Sequence, residues 1–598
     1  MSLYSSPKRG RPIVISGGLG RINSISNVIA GRLRIHSYPL VVFEPELPFW
    51  PQIEEQDLHP TVRFYLHSLN WIDFIVDRAN EVPESEWGEE IAAGVEFARV
   101  VAWHWWEMNL VSPEWARDEH VWGGHAAAIR GASLSTLSEI FPDDEWLHEA
   151  IVFHGQWLLK NFDGYWNHGL SQSLALLVVG DRLGSEEMLK TGADRVVACL
   201  EVMIDDEGAI NEQAPEYSSY IERLRSTAVD ALELFGAPGA EKLKSKEEAL
   251  EEFVAHSLTP GGTFVEIGDS MPRRPEFVRG GALEFALSNG AIGTEIPRVK
   301  VYSAGYVFGR SGFGQRRPNE LESYYSLRFG PARQIHGHFD HLSLTYWDRG
   351  RNIIVDAGHP GYVRGPLRSY AQSRIAHNIV AVRGREHDVK AASKLLDQRI
   401  EQTWSAFDLE DSAWEGLVWK RSACFVDCGP FVVADSLEPT RSFEYAEQRW
   451  TVAPEFEFIG SQYEAVHFRS VVDGTQLVFI RYGIDGTSCF EPTDLNMARG
   501  DRENLRGVIF RNEQPVDTWS IGFGRASRDF GILTAVVVAG PEEKVEYSFR
   551  ESGPGKRVLR VVRGTQHFRF DYDVDQQCVR ALTAPIKRGY ADGGLFPR

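Results

Sequence analysis

The hydrophobic period of this 598-residue chain changes once, and that change limits what it can fold into. Through roughly residue 290, apolar residues recur at three- and four-residue spacing, the signature of amphipathic helices. EEIAAGVEFARVVAWHWWEMNL, HVWGGHAAAIRGASLSTLSEIF, DEWLHEAIVFHGQWLLKNF, SQSLALLVVGDRLG and EEMLKTGADRVVACLEVMI carry it, and EYSSYIERLRSTAVDALELFG and AEKLKSKEEALEEFVAHSL continue it. Breaks between them are short, so consecutive helices pack as antiparallel hairpins. Many hairpins in a row predict a solenoid, or one closed into an α/α toroid. There is no strict sequence repeat, so closure rests on helix number alone.

After the Gly/Pro-rich passage TPGGTFVEIGDSMPRRP and one last helix, GALEFALSNG, the period falls to two. YYSLRFG, HLSLTYW, NIIVDAG, LVWKRSACFVD, PFVVADSL, TQLVFIRYG, GILTAVVVAG and KRVLRVVRG read as strands bounded by turn residues. They predict a large antiparallel β-sandwich. The expected fold is α+β in two domains, a toroid over 1–295 and a sandwich over 296–598.

Net charge is −21, which argues against nucleic acid or an anionic membrane surface as partner. No run approaches a transmembrane helix. The first twenty residues are basic but lack the apolar core of a signal peptide, so a cytoplasmic protein is expected, with periplasmic or secreted placement open. Five sparse cysteines (Cys199, Cys424, Cys428, Cys489 and Cys578) do not suggest a disulfide framework. One local excess of positive charge stands out. Arg364, Arg368, Arg374, Arg383 and Arg385 fall in a stretch without Asp or Glu, which reads equally as an anion-binding patch or a solvated loop.

The densest polar pattern is IHGHFDHLSLTYWDRGRNIIVDAGHPGY, residues 335–362. In a strand, His336, His338 and Asp340 would share one face. DRGRN is a plausible turn, and IIVD a returning strand that brings Asp356 toward His338. Two imidazoles with one carboxylate suit a borderline divalent cation. The second imidazole is either His377 in SRIAHNIVAV or His359 in AGHPGY, and a merely solvated polar face is the bland alternative. Asn167 and His168 in GYWNHG, and Tyr217 and Tyr220 in NEQAPEYSSY, stand near helix starts, where capping is the ordinary role.

Taken in order, WNHG, NEQAPEYSSY, GYVFGRSGFG, HGHFDHLSLTYWDRGRNIIVDAGHPGY and RSYAQSRIAHNIVAV resemble the heparinase II/III-like polysaccharide lyases. The resemblance implies an α/α toroid followed by an antiparallel sandwich. It implies that Asn167 helps neutralise a uronate carboxylate with His168 as the adjacent active-site histidine, that Tyr217 is the catalytic acid and in some members also the base, and that His336 is the catalytic histidine of the sandwich. It also implies that His338, Asp356 and His377 hold one divalent metal, usually zinc, in a structural role. Arg130, Arg374, Tyr362 and Tyr370 are candidates for substrate contact.

The expected substrate is an acidic polysaccharide or oligosaccharide, cleaved by β-elimination. Such a lyase removes a C5 proton that becomes acidic only when the neighbouring carboxylate is neutralised, which explains the donors and the Tyr/His pair. Two other readings stay open: a metal-dependent glycan hydrolase, and a non-catalytic glycan-binding or assembly protein. Oligomeric state is open, a homodimer included.

Overall fold

The computed structural model describes residues 19–110, 119–438, 444–462, 464–484 and 495–582. Cys489 and the basic start of the chain lie outside the described residues. The chain divides into two compact units. One takes residues up to Asp205 together with Tyr220–Glu247; the other takes Asp206–Ser219 and everything from Glu248. The expected boundary at 295/296 falls inside the second unit.

The first unit is helical, as the period predicts. Its helices Glu89–Leu110, Gly124–Leu137, Glu145–Lys160, Asn167–Leu183 and Glu186–Met203 follow the apolar stretches closely. Asn167–Leu183 packs on Gly124–Leu137, Glu145–Lys160 and Glu186–Met203, and its residues from Gly169 to Gly180 are buried. The hairpin after it is written in LGSEE. Gly184 ends one helix in the left-handed region (φ 63°), and Ser185 caps the next by accepting from Met188 N. A Cβ on Gly192 would stand 2.9 Å from Ser173 O, so the two backbones approach where a side chain is missing. Before Trp71, where the sequence resembles nothing assignable, the chain forms short helices such as Phe49–Glu54 and Pro60–His67, and a small hairpin pairing Arg32–Leu33 with Val41–Val42.

Antiparallel sheets dominate the second unit. The largest has eight strands, and the strand Gly531–Ala539 lies within it, flanked by Phe431–Leu437 and Gln476–Gly483. All nine of its residues are buried. Ile532, Val536 and Val538 join a core with the sheets containing Tyr324–Arg328 and Glu444–Thr451. Leu533, Ala535 and Val537 join a second core with the four-stranded sheet Val545–Leu582. Alternate residues therefore face two different apolar layers, which is why GILTAVVVA is apolar at all positions but Thr534 instead of alternating.

A polar network runs through this core. Arg421 and Asp435 are both fully buried and paired at 2.8 Å. Asp435 also accepts from Trp419 Nε1 (2.9 Å) and Gln448 Nε2 (2.7 Å). Nη1 of Arg421 donates to Leu342 O (2.6 Å) and Asn378 O (2.7 Å). Those carbonyls belong to the two segments that bear the histidine cluster, so the core pins the site directly.

Removing one partner of such a pair leaves an uncompensated buried charge, which costs about 3–5 kcal/mol. Asp435→Ala is therefore expected to lower the urea midpoint of unfolding sharply. A midpoint within error of the parent would mean that this pair does not hold the core.

Candidate active site and metal centre

The hairpin predicted from DRGRN is present. Strands Leu344–Asp348 and Arg351–Ile354 pair through a two-residue turn, Arg349–Gly350, with φ of 50° and 81°. The assignment of His336, His338 and Asp340 to one strand face is corrected. Residues 335–343 form a loop, because their backbone donors go elsewhere: His336 N to Glu212 O (3.0 Å) and Phe339 N to Gln372 O (3.0 Å). Leu342 is left-handed (φ 62°), and a Cβ on Gly337 would lie 2.2 Å from Gln213 Oε1. The spacing of two thus reflects a tight loop and not a pleat.

His336 and Tyr217 stack face to face, with ring centroids 4.0 Å apart and planes 18° from parallel. The His336 side chain is 22 % exposed and Tyr217 is half-buried, so the pair is accessible. Tyr217 ends the short helical turn Pro215–Tyr217 that leads into helix Ser218–Leu234, as the proline predicts. Nε2 of His336 faces Glu212 Oε2 at 3.7 Å. Glu212 is buried, that oxygen has no hydrogen-bond partner, and burial raises its pKa against the pull of His336.

Three residues behind the loop gather closely. Ligand atoms of His338, Asp356 and His377 lie within 4.8 Å of one another, and all three residues are buried. The structure thus brings His377, not His359, to His338 and Asp356. His377 Nδ1 stands 2.7 Å from Asp356 Oδ1. Burial would raise the Asp356 pKa, but His377 beside it holds it below the usual range; burial would lower that of His377, and Asp356 outweighs it. Nδ1 of His338 and Nε2 of His377 are buried without a hydrogen-bond partner. Orphaned imidazole nitrogens next to a carboxylate are costly unless something binds them. Their chemistry fits a borderline divalent cation such as zinc.

The residue that organises this cluster escaped the sequence reading. Asp269, in GDSMP, is buried and takes contacts from four side chains. His336 Nδ1 (3.1 Å) and Arg368 Nη2 (2.5 Å) meet Oδ2. His338 Nε2 (2.9 Å), His359 Nδ1 (3.1 Å) and Arg368 Nη1 meet Oδ1. Burial would raise its pKa, but these partners hold it far below the usual carboxylate range. It stands in a Gly/Pro-rich stretch that reads as connector. The one local signal is Gly268 (φ 58°), where a Cβ would meet Gln213 O at 2.6 Å and His336 O at 2.7 Å.

Two proposed substrate contacts are corrected. Arg130 is fully buried and donates to His154 Nε2, His67 O and Val121 O, with its guanidinium over the Trp105 ring. Arg374 is buried and paired with Asp411 at 2.6 Å. Both are core residues because long-range acceptors, invisible in sequence, satisfy them. In the arginine-rich stretch Arg368 meets Asp269 and Arg385 meets Glu444, while Arg364 and Arg383 are exposed. Tyr362 is 55 % exposed and lies edge-on to His336 at 5.7 Å. Tyr370 is half-buried, its hydroxyl near Val508 O, and burial pushes its pKa up to about 12. In the first unit, Asn167 opens its helix and accepts from His168 N, while the His168 ring lies tilted against those of Trp166 (4.2 Å) and His125 (4.7 Å).

Residues 308–531, within the β-rich second unit, match the family model described as Heparinase II/III-like, C-terminal. Among solved structures the chain is similar to heparan sulfate lyase HepC from Pedobacter heparinus. Identity there is 16 %, 92 % of this chain and 88 % of that one are covered, and the TM-score is 0.70. A heparinase III structure matches at 16 % identity over 85 % of this chain and 82 % of that one, with a TM-score of 0.63. At such identity the likeness concerns the fold: helices first, antiparallel sheets after. No curated protein matches the sequence.

If the triad holds a metal, His338→Ala is expected to lower both bound metal, measured by elemental mass spectrometry, and the melting temperature. Unchanged metal content and melting would rule the triad out as the centre.

Proposed function

We propose that the chain is a polysaccharide lyase that cleaves a uronic-acid-containing glycan by β-elimination. The observation that carries this reading is the accessible Tyr217–His336 stack, clamped from behind by Asp269. Elimination needs one group to take the C5 proton and another to protonate the oxygen leaving C4, both within reach of one sugar ring. Stacked tyrosine and histidine side chains supply two proton-transfer groups side by side. The C5–H and C4–O bonds break, a C4=C5 double bond forms, and the departing chain gains a hydroxyl. Tyr217 gives the proton to the leaving oxygen, and His336 serves the proton removed from C5. Neutral donors or cations must meet the uronate carboxylate; the resemblance assigns a part of this to Asn167.

Residues His338, Asp356 and His377 would hold the metal. When bound, it supplies a fixed positive charge that braces the loop bearing His336. The burial of all three residues favours this structural role over the hydrolase reading, which needs a cation open to water and substrate.

Ultraviolet absorbance tests the proposal. Mixed with a panel of polyuronates and their oligomers, the protein is expected to generate unsaturated uronate from at least one. Tyr217→Phe is expected to reduce that rate by at least about 10²-fold, within the range of general acid–base catalysis, with its circular dichroism unchanged. New reducing ends without absorbance would establish hydrolysis instead.

A further inference from the structure

We propose that Asp269 is a positioning residue that sets the tautomers of two histidines for two different tasks. The inference rests on the lyase reading for one of those tasks. Its carboxylate accepts at Oδ2 from Nδ1 of His336 (3.1 Å) and at Oδ1 from Nε2 of His338 (2.9 Å). An ionised carboxylate is an acceptor only, so each nitrogen that meets it must carry a hydrogen. On His336 the hydrogen is thereby fixed at Nδ1, and Nε2 becomes the atom that exchanges protons. On His338 it is fixed at Nε2, which leaves Nδ1 as the donor atom for a cation.

The unpartnered state of that atom agrees with this assignment. His338 Nδ1 is buried and has no hydrogen-bond partner, while the ligand atoms of Asp356 and His377 lie within reach. Two histidines two positions apart are thus set in opposite tautomers by opposite oxygens of a single side chain. Arg368, whose two terminal nitrogens meet both carboxylate oxygens, keeps Asp269 ionised and fixes its plane. Carboxylates in this relation to a ligating histidine fix the ring and raise its basicity, and losing one typically costs 10–100-fold in metal affinity. The added element is that the same carboxylate also orients the histidine that does the chemistry.

Asp269→Asn tests this, because the amide keeps the shape but offers one acceptor oxygen and one donor nitrogen, and so cannot accept from both histidines. Zinc affinity, measured by competition with a chromophoric chelator, is expected to fall about 10–100-fold, and kcat to fall with KM little changed. Zinc bound at parental affinity would overturn the proposal. The second measurement uses the zinc-loaded parent protein with ¹⁵N-labelled histidine, so it does not depend on the variant folding. Nuclear magnetic resonance is expected to show hydrogen on Nδ1 of His336 and on Nε2 of His338. The reverse tautomer at either residue would refute the assignment. Neither the zinc nor the resonance measurement uses substrate. A parent protein inactive on every polyuronate would therefore defeat the lyase reading while leaving these two results to decide the role of Asp269.

Discussion

An antiparallel sheet with an apolar layer on each face is the constraint from which the second unit is built. Alternation normally lets such a sheet keep one face wet. Here the strand Gly531–Ala539 gives Ile532, Val536 and Val538 to one layer and Leu533, Ala535 and Val537 to the other. Any polar group inside must then find its partners inside. Arg421, Asp435, Gln448, Trp419 and Thr534 do so through one connected set of hydrogen bonds. The set ends on the carbonyls of Leu342 and Asn378, so the chemistry of the loop is anchored to the least solvated part of the protein.

The site repeats the same rule at smaller scale. Two buried carboxylates, Asp269 and Asp356, stand among three buried imidazoles and a guanidinium. Asn378 adds a rivet, donating to Leu344 O and Val355 O and accepting from Thr451 N. Loops with so many fixed donors and acceptors have little freedom, which holds the Tyr217–His336 stack in a defined geometry.

Much of this was legible in the sequence, for identifiable reasons. Helix and strand periods report burial on one or two faces, so the helices from Glu89 onward could be read closely, as could strands such as Tyr324–Arg328, Phe431–Leu437 and Gly531–Ala539, whereas strands such as Trp404–Asp411 and Glu444–Thr451 were not read. His338 and Asp356 could be read because they flank one hairpin, while the choice of His377 over His359 came from the resemblance. Long-range polar satisfaction was not legible. Arg130 and Arg374 look like candidate anion binders until their acceptors, His154 and Asp411, come into view. Asp269 hides for the same reason: its partners stand 67 to 99 residues away, and its own neighbourhood carries only turn chemistry. The H-x-H pattern misled in another way, since a spacing of two denotes a strand only if the backbone pairs as one.

The crossing of the chain between its two units bears on modularity. Residues 206–219 belong to the second unit although helices of the first unit flank them on both sides in sequence. The strand-rich half therefore cannot be recombined as a cassette by a cut at one linker. A segment beginning at residue 296 would contain His338, Asp356 and His377 together with His336. It would lack Glu212, Tyr217 and Asp269, the three side chains that stand against the His336 ring. Divergence by domain shuffling is closed to such a site; it can change only by substitution in place.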